Sequence, residues 1–150
     1  MSPMLTWAGL AVALAVGLIV FFDWVPTPLN RNIQGASVRD RLIGDLVHVP
    51  VGVLVMIALQ QGWRWVVLAG AIWYSIVLII GIVNWWVPWL TGVRRGEITE
   101  EAYEREYARN VTVLPRLGRS PIVPDVQHTL IHLAVLAAGV SCWLRFLGGG

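Results

Sequence analysis

Four apolar stretches, residues 4–22, 42–60, 63–90 and 126–147, leave this chain little choice of fold. A helix rises about 1.5 Å per residue, so each stretch is of the order needed to cross a hydrocarbon core roughly 30 Å thick. Helices satisfy their own backbone polar groups, which lipid cannot do. The expectation is an all-α protein: a four-transmembrane-helix bundle forming a single integral membrane domain over residues 1–150, with a loop over 91–125. Composition agrees, since 57% of residues are hydrophobic and only 13% charged, against roughly 25% charged in an average soluble domain.

The first stretch lacks the basic start and small-residue cleavage site of a signal peptide and is expected to remain as a span. Gly9, Ala13 and Gly17 recur every fourth residue, a pattern that predicts close packing of a neighbouring helix along that side. Pro26 and Pro28 end the helix, and Ser37 with Asp40 forms a capping box that starts the second helix ahead of its apolar part. Pro50 deprives the Leu46 carbonyl of its helical donor and predicts a bend there. Gln60-Gln61-Gly62 is a tight turn into the third span. Trp63 and Trp65 at one end, and Trp85, Trp86 and Trp89 at the other, read as aromatic belts, while Trp73 at mid-span reads as a helix-packing residue.

Between the third and fourth spans, Thr99 predicts the cap of a short surface helix over Thr99–Arg109, with Glu100 and Glu101 in its first turn and Arg105 and Arg109 at its end. Tyr103 and Tyr107 share one side of it. Prolines 115, 121 and 124 make 113–124 an extended strap, and Asp125 caps the last helix. The single cysteine, Cys142, excludes internal disulfides, Cys-x-x-Cys redox chemistry and thiolate zinc sites.

In a four-span chain the first and third connections share a side. Those two connections hold nine of the eleven basic residues, all arginines, against Arg64 and Arg145 on the other side. The positive-inside rule then places both connections in the cytoplasm and both termini outside it, in a bacterial inner membrane. The lipid bilayer is the expected partner, with a homo-oligomer or a larger membrane complex as further options. Nucleic acid is not expected, because the arginines flank spans and form no basic stripe.

Measured from that face, three polar groups lie at a similar depth of one to two turns: Asp45 with His48, Asn84 with Trp85, and His128 with His132. Histidines four apart on a helix can offer two imidazoles to one ion, so His48, His128, His132 and Asp45 form a candidate metal set. Asn84, Trp85, Gln127, Tyr103, Tyr107 and Arg109 form the candidate pocket wall. Against this stands the plainer reading that each polar residue just inside an interface is solvated by headgroups or bonded to a neighbouring carbonyl.

Three functions fit these residues: a site for a transition metal or haem b, an oligomeric proton or small-solute pathway, and an accessory or assembly subunit of a larger membrane complex. No nucleotide-binding loop, serine-hydrolase elbow or zincin motif adds an enzyme class. Through Asn84-Trp85-Trp86-Val87-Pro88-Trp89-Leu90-Thr91-Gly92, Tyr103-x-Arg105-x-Tyr107, Leu114-Pro115 and Pro124-Asp125-x-Gln127-His128, the second half resembles small bacterial four-helix integral membrane proteins of uncharacterised function. The resemblance implies a bacterial inner membrane and transfers no activity.

The arginine asymmetry makes a topological prediction. In a Cys142→Ala background, an impermeant thiol reagent applied to intact cells is expected to label Gly150→Cys and to leave Glu104→Cys unlabelled. The reverse pattern inverts the orientation.

Overall fold

A computed structural model describes residues 3–30, 37–118, 120 and 122–148. Arg31, Arg119, Pro121 and the end of the glycine tail, all weighed in the sequence, lie outside the described residues. The regular elements among the described residues are helices: α1 (Pro3–Trp24), α2 (Val38–Gln61), α3 (Arg64–Gly81), a π-helical segment (Ile82–Trp86), α4 (Val87–Thr91), α5 (Glu100–Glu106) and α6 (Val126–Leu147). Four helices are long and apolar enough to span a membrane, the third being the continuous run from Arg64 to Thr91.

The helix boundaries follow local chemistry. The Ser37 hydroxyl accepts from the Asp40 N–H at 3.1 Å and donates to its carboxylate, which starts α2 at Val38. Gly62, at φ 71°, closes α2 by donating its N–H to the Ala58 carbonyl, and only two residues then separate α2 from α3. α2 runs as helix through Pro50. The Thr99 hydroxyl caps α5 by accepting from the Ala102 N–H, but the helix ends at Glu106, short of Arg109.

α6 packs between α1 and α3, and α2 touches both α1 and α3, closing a four-helix ring. The core is made of small residues, among them Ala15, Ala58, Ala71, Ala134 and Ala138, filled in by Val12, Val55, Val135 and Tyr74. Large apolar side chains instead face outward, including Leu46, Trp65 and Leu147, the reverse of a water-soluble bundle.

The small-residue stripe expected on α1 is not its packing face. Ala13 and Gly17 are exposed, and a methyl group added at Gly9 or Gly17 would meet no atom within 4 Å. The buried row is Ala8, Val12, Ala15, Ile19 and Phe22. The close approach comes from the other partner: Gly52 of α2 lies directly against Val16, and Gly70 of α3 lies against Val55. A spacing of four marks one side of a helix, but only the facing helix decides which side is buried.

These contacts predict opposite outcomes for two glycines. Gly9→Ala meets open space and gains helix propensity, whereas Gly52→Ala drives a methyl into the stiff Val16 side chain. Thermal unfolding in detergent is expected to leave Gly9→Ala equal to or above wild type and Gly52→Ala below it, by about 1 to 3 kcal/mol.

Candidate functional site

The site is assembled around the start of α6. Asp125 caps that helix, its Oδ1 accepting the His128 backbone N–H at 2.7 Å. The same oxygen lies 2.9 Å from His128 Nδ1, and Oδ2 accepts from Asn110 Nδ2 at 2.8 Å. The carboxylate is 1% exposed. Burial by itself would raise its pKa, but the bonds from the His128 ring and backbone, the charge of that ring when protonated, and the Asn110 amide together hold it below the usual carboxylate range. An ionised carboxylate only accepts, so His128 carries a proton on Nδ1 and presents Nε2 as its free position.

The imidazole is sandwiched by aromatics. Trp85 stacks on it at 3.7 Å between ring centres and 25° between planes, and Tyr107 meets it edge-on at 5.0 Å. Trp85, Tyr103 and Ile122 form a second small core beneath the connection, with Tyr103 bonded through its hydroxyl to both backbone groups of Val123. Burial raises the pKa of both phenols, Tyr107 the more strongly, so both remain protonated donors at neutral pH. Trp85 is 3% exposed and so is no interfacial belt residue.

What turns Trp85 inward is the π-helical segment, where Val87 donates to Ile82, five residues back. One extra residue in a turn rotates everything after it by about 100°. Pro88, which has no N–H to donate, follows immediately. The adjacent Trp86 then donates Nε1–H to His132 Nδ1 at 3.0 Å, and Trp89 donates to the Pro115 carbonyl at 3.0 Å, tying the connection down. The sequence reading misses this segment, for which Asn84-Trp85-Trp86-Val87-Pro88 offers only the proline as a signal.

The candidate residues divide into those brought together and those left apart. His128, Trp85, Tyr103, Tyr107 and Gln127 gather at one end of the bundle. His132 is 6.2 Å from His128, ring centre to ring centre, but Nδ1 accepts from Trp86 and the Nε2 edge packs directly on Gly81. That ring is neutral and its lone pair is used. His48 of α2 lies beside Trp73 of α3 at 5.7 Å, and Asp45 accepts from Trp24 Nε1. Among the described residues no group of three or more His, Cys, Asp or Glu side chains is placed to hold a metal ion. The set His48, Asp45, His128 and His132 shares a depth without sharing a direction.

Asn84 is a fastener for the backbone. Its Oδ1 accepts from the N–H groups of Glu97 and Ile98, its Nδ2 donates to Ile80, and Gly96 is pressed against it. Arg109 is exposed and takes no part in the pocket wall.

Residues that the sequence reading leaves out complete the site. A cavity of about 130 Å³ lies between the ends of α1, α2 and α6 and the end of α5, with Asp23, Arg41, Glu106, Tyr107, Asn110 and His128 in its wall. Arg41 is held by the Asp23 carbonyl and lies over Trp24, and Glu106 is paired with Arg105. Asn30, 2% exposed, binds the Phe22 and Val25 carbonyls and shapes the α1 end of the cavity. Asn110 is 7% exposed, and its Oδ1 has no hydrogen-bond partner among the described residues.

The depressed Asp125 carboxyl sets a sign for pH dependence. A carboxyl with a folded-state pKa below its unfolded value contributes stability above the unfolded value and loses it as pH falls through the folded one. Acid unfolding of the wild type is expected to include this loss, on the acid side of the usual carboxylate range, and Asp125→Asn is expected to lack it. Asparagine still caps the helix, so the variant should fold, and nitrogen-15 NMR should show His128 released from its single Nδ1–H tautomer.

Comparison with protein-family models, with curated proteins and with solved structures finds no match for this chain.

Proposed function

We propose that the protein is a bundle of the bacterial inner membrane that binds a small, hydrogen-bond-donating molecule in the cavity beside His128, at the cytoplasmic headgroup layer. The observation that carries this reading is the unpartnered, buried Oδ1 of Asn110 in the wall of a cavity that also holds the Asp125-oriented imidazole. A buried acceptor without a donor costs about 1 to 3 kcal/mol, a cost that a ligand N–H or O–H relieves. His128 Nε2 is a second acceptor, and the Asp23 and Glu106 carboxylates add two more. Asp125 orients the ring and so fixes the direction in which Nε2 accepts.

Size and surroundings weigh against the other readings. At about 130 Å³ the cavity is below the roughly 300 to 1,000 Å³ of pockets that take drug-sized ligands, and far too small for a haem. A transition-metal site would require the side chains to stand elsewhere, given the engaged lone pair of His132. A conduction path would have to continue through Val55, Ala71, Val135 and Ala138, which are buried and apolar.

The test uses protein in lipid discs with ethanolamine and glycerol as donor-bearing probes. A saturable shift of the His128 Nε2 resonance is expected with at least one probe. Asn110→Leu, which removes the open acceptor, is expected to weaken it about tenfold, the scale of one buried hydrogen bond. If neither probe produces a saturable shift, the cavity is a water site and the reading fails.

A further inference from the structure

The other end of the bundle carries a second site of opposite character. A cavity of about 210 Å³ opens where α2 turns into α3 beside the end of α6, and Arg64 and Arg145 both line it. Arg64 is the first residue of α3 and lies over the Phe146 ring at 4.7 Å, while Arg145 is in the last turn of α6. Neither arginine has an ion pair among the described residues. No acid lies near in sequence, for all nine acidic residues fall within 23–45 and 97–125, toward the opposite end. The floor is apolar: Ala58 and Leu59 from α2, and Val67 from α3.

We propose that this cavity binds a phosphate group, with Arg64 and Arg145 as its two clamps, and that the apolar floor selects the phosphodiester of a membrane phospholipid. Guanidinium groups grip phosphate oxygens through paired N–H donors, and two of them around one cavity neutralise a phosphodiester without a competing carboxylate. The N-terminus of α3, an eighteen-residue helix, begins at Arg64 and adds its own unpaired N–H groups and positive partial charge. Phe146 holds the Arg64 guanidinium by its face, which orients it before any anion arrives. The cavity takes a headgroup and the first carbons below it, leaving the acyl chains against the exposed leucines and tryptophans outside. The site is independent of the His128 cavity, which uses the other ends of α2 and α6.

The experiment uses full-length protein in neutral detergent, with dihexanoyl phosphatidylglycerol, phosphate-free dihexanoylglycerol and inorganic phosphate as probes, read by native mass spectrometry and thermal shift. The phospholipid is expected to be retained and to raise the unfolding temperature, and dihexanoylglycerol to do neither. Arg145→Gln and Arg64→Gln are each expected to lower retention about tenfold, the loss of one charge-assisted pair. Arg145→Lys, which keeps the charge and loses the fork, should fall between. Failure of inorganic phosphate to displace the lipid supports the phospholipid as ligand; displacement assigns the site to a free anion and overturns the lipid part. Equal retention of phosphatidylglycerol by wild type and by the folded double variant overturns the phosphate site altogether.

Discussion

The polar end of this molecule depends on one carboxylate. Asp125 accepts three donors from two segments: the His128 backbone, the His128 ring and the Asn110 amide. Taking a carboxylate out of water costs several kcal/mol, and each hydrogen bond to a charged group returns about 1.5 to 3 kcal/mol, so the site is stable only with its donors present. That requirement couples three things that the sequence keeps apart. The start of α6, the orientation of the imidazole and the path of the connection at residue 110 all follow from the same group. Two backbone bonds, Val113 to Pro124 and Val126 to Val111, then hold the connection antiparallel to itself across the cap.

The second constraint is rotational. Inside the π-helical turn Trp85 and Trp86 take a different angle around the helix from the one a straight α-helix would give them, and there they meet His128 and His132. The π-helical turn therefore joins α3 to α6 through two indoles, one stacked on an imidazole and one bonded to it. The two histidines end in different chemical states as a result. His132 is a satisfied core residue against Gly81, and His128 keeps an open nitrogen.

What was legible in the sequence is what depends on length, periodicity or local capping. The four long helices, the Ser37, Thr99 and Asp125 caps and the Gly62 turn need only neighbouring residues to be read. The site was half legible. Counting turns from one face placed Asp45 with His48, Asn84 with Trp85, and His128 with His132 at a common depth, but depth says nothing about direction around a helix. His48 shares that depth and points to Trp73; Asn84 shares it and fastens a loop. Asn110, Asp23, Arg41 and Glu106 carry no motif, and their importance arises only when four separate chain segments meet. Nor does a run of small residues reveal its partner: the glycine that brings α1 and α2 together is Gly52, on the helix opposite the stripe.

The charge distribution joins the two ends of the molecule in one argument. A bundle core of alanine, valine and glycine has no room for ionised groups, so charge can be accommodated only at the ends, and the two ends are used differently. At the end with the long connections, acids and arginines are mixed, and the Asp125 and Asp45 carboxylates accept from donors of other segments, Asn110 and Trp24. At the end with the short turn only Gly62 and Trp63 separate α2 from α3, and neither Arg64 nor Arg145 has an ion pair among the described residues. The paired state at one end is built by the protein itself, through long loops that fold back over it. At the other end the two arginines stand at helix ends beside an apolar outer surface, and the phosphate site proposed for them would supply their counter-charge from outside the chain.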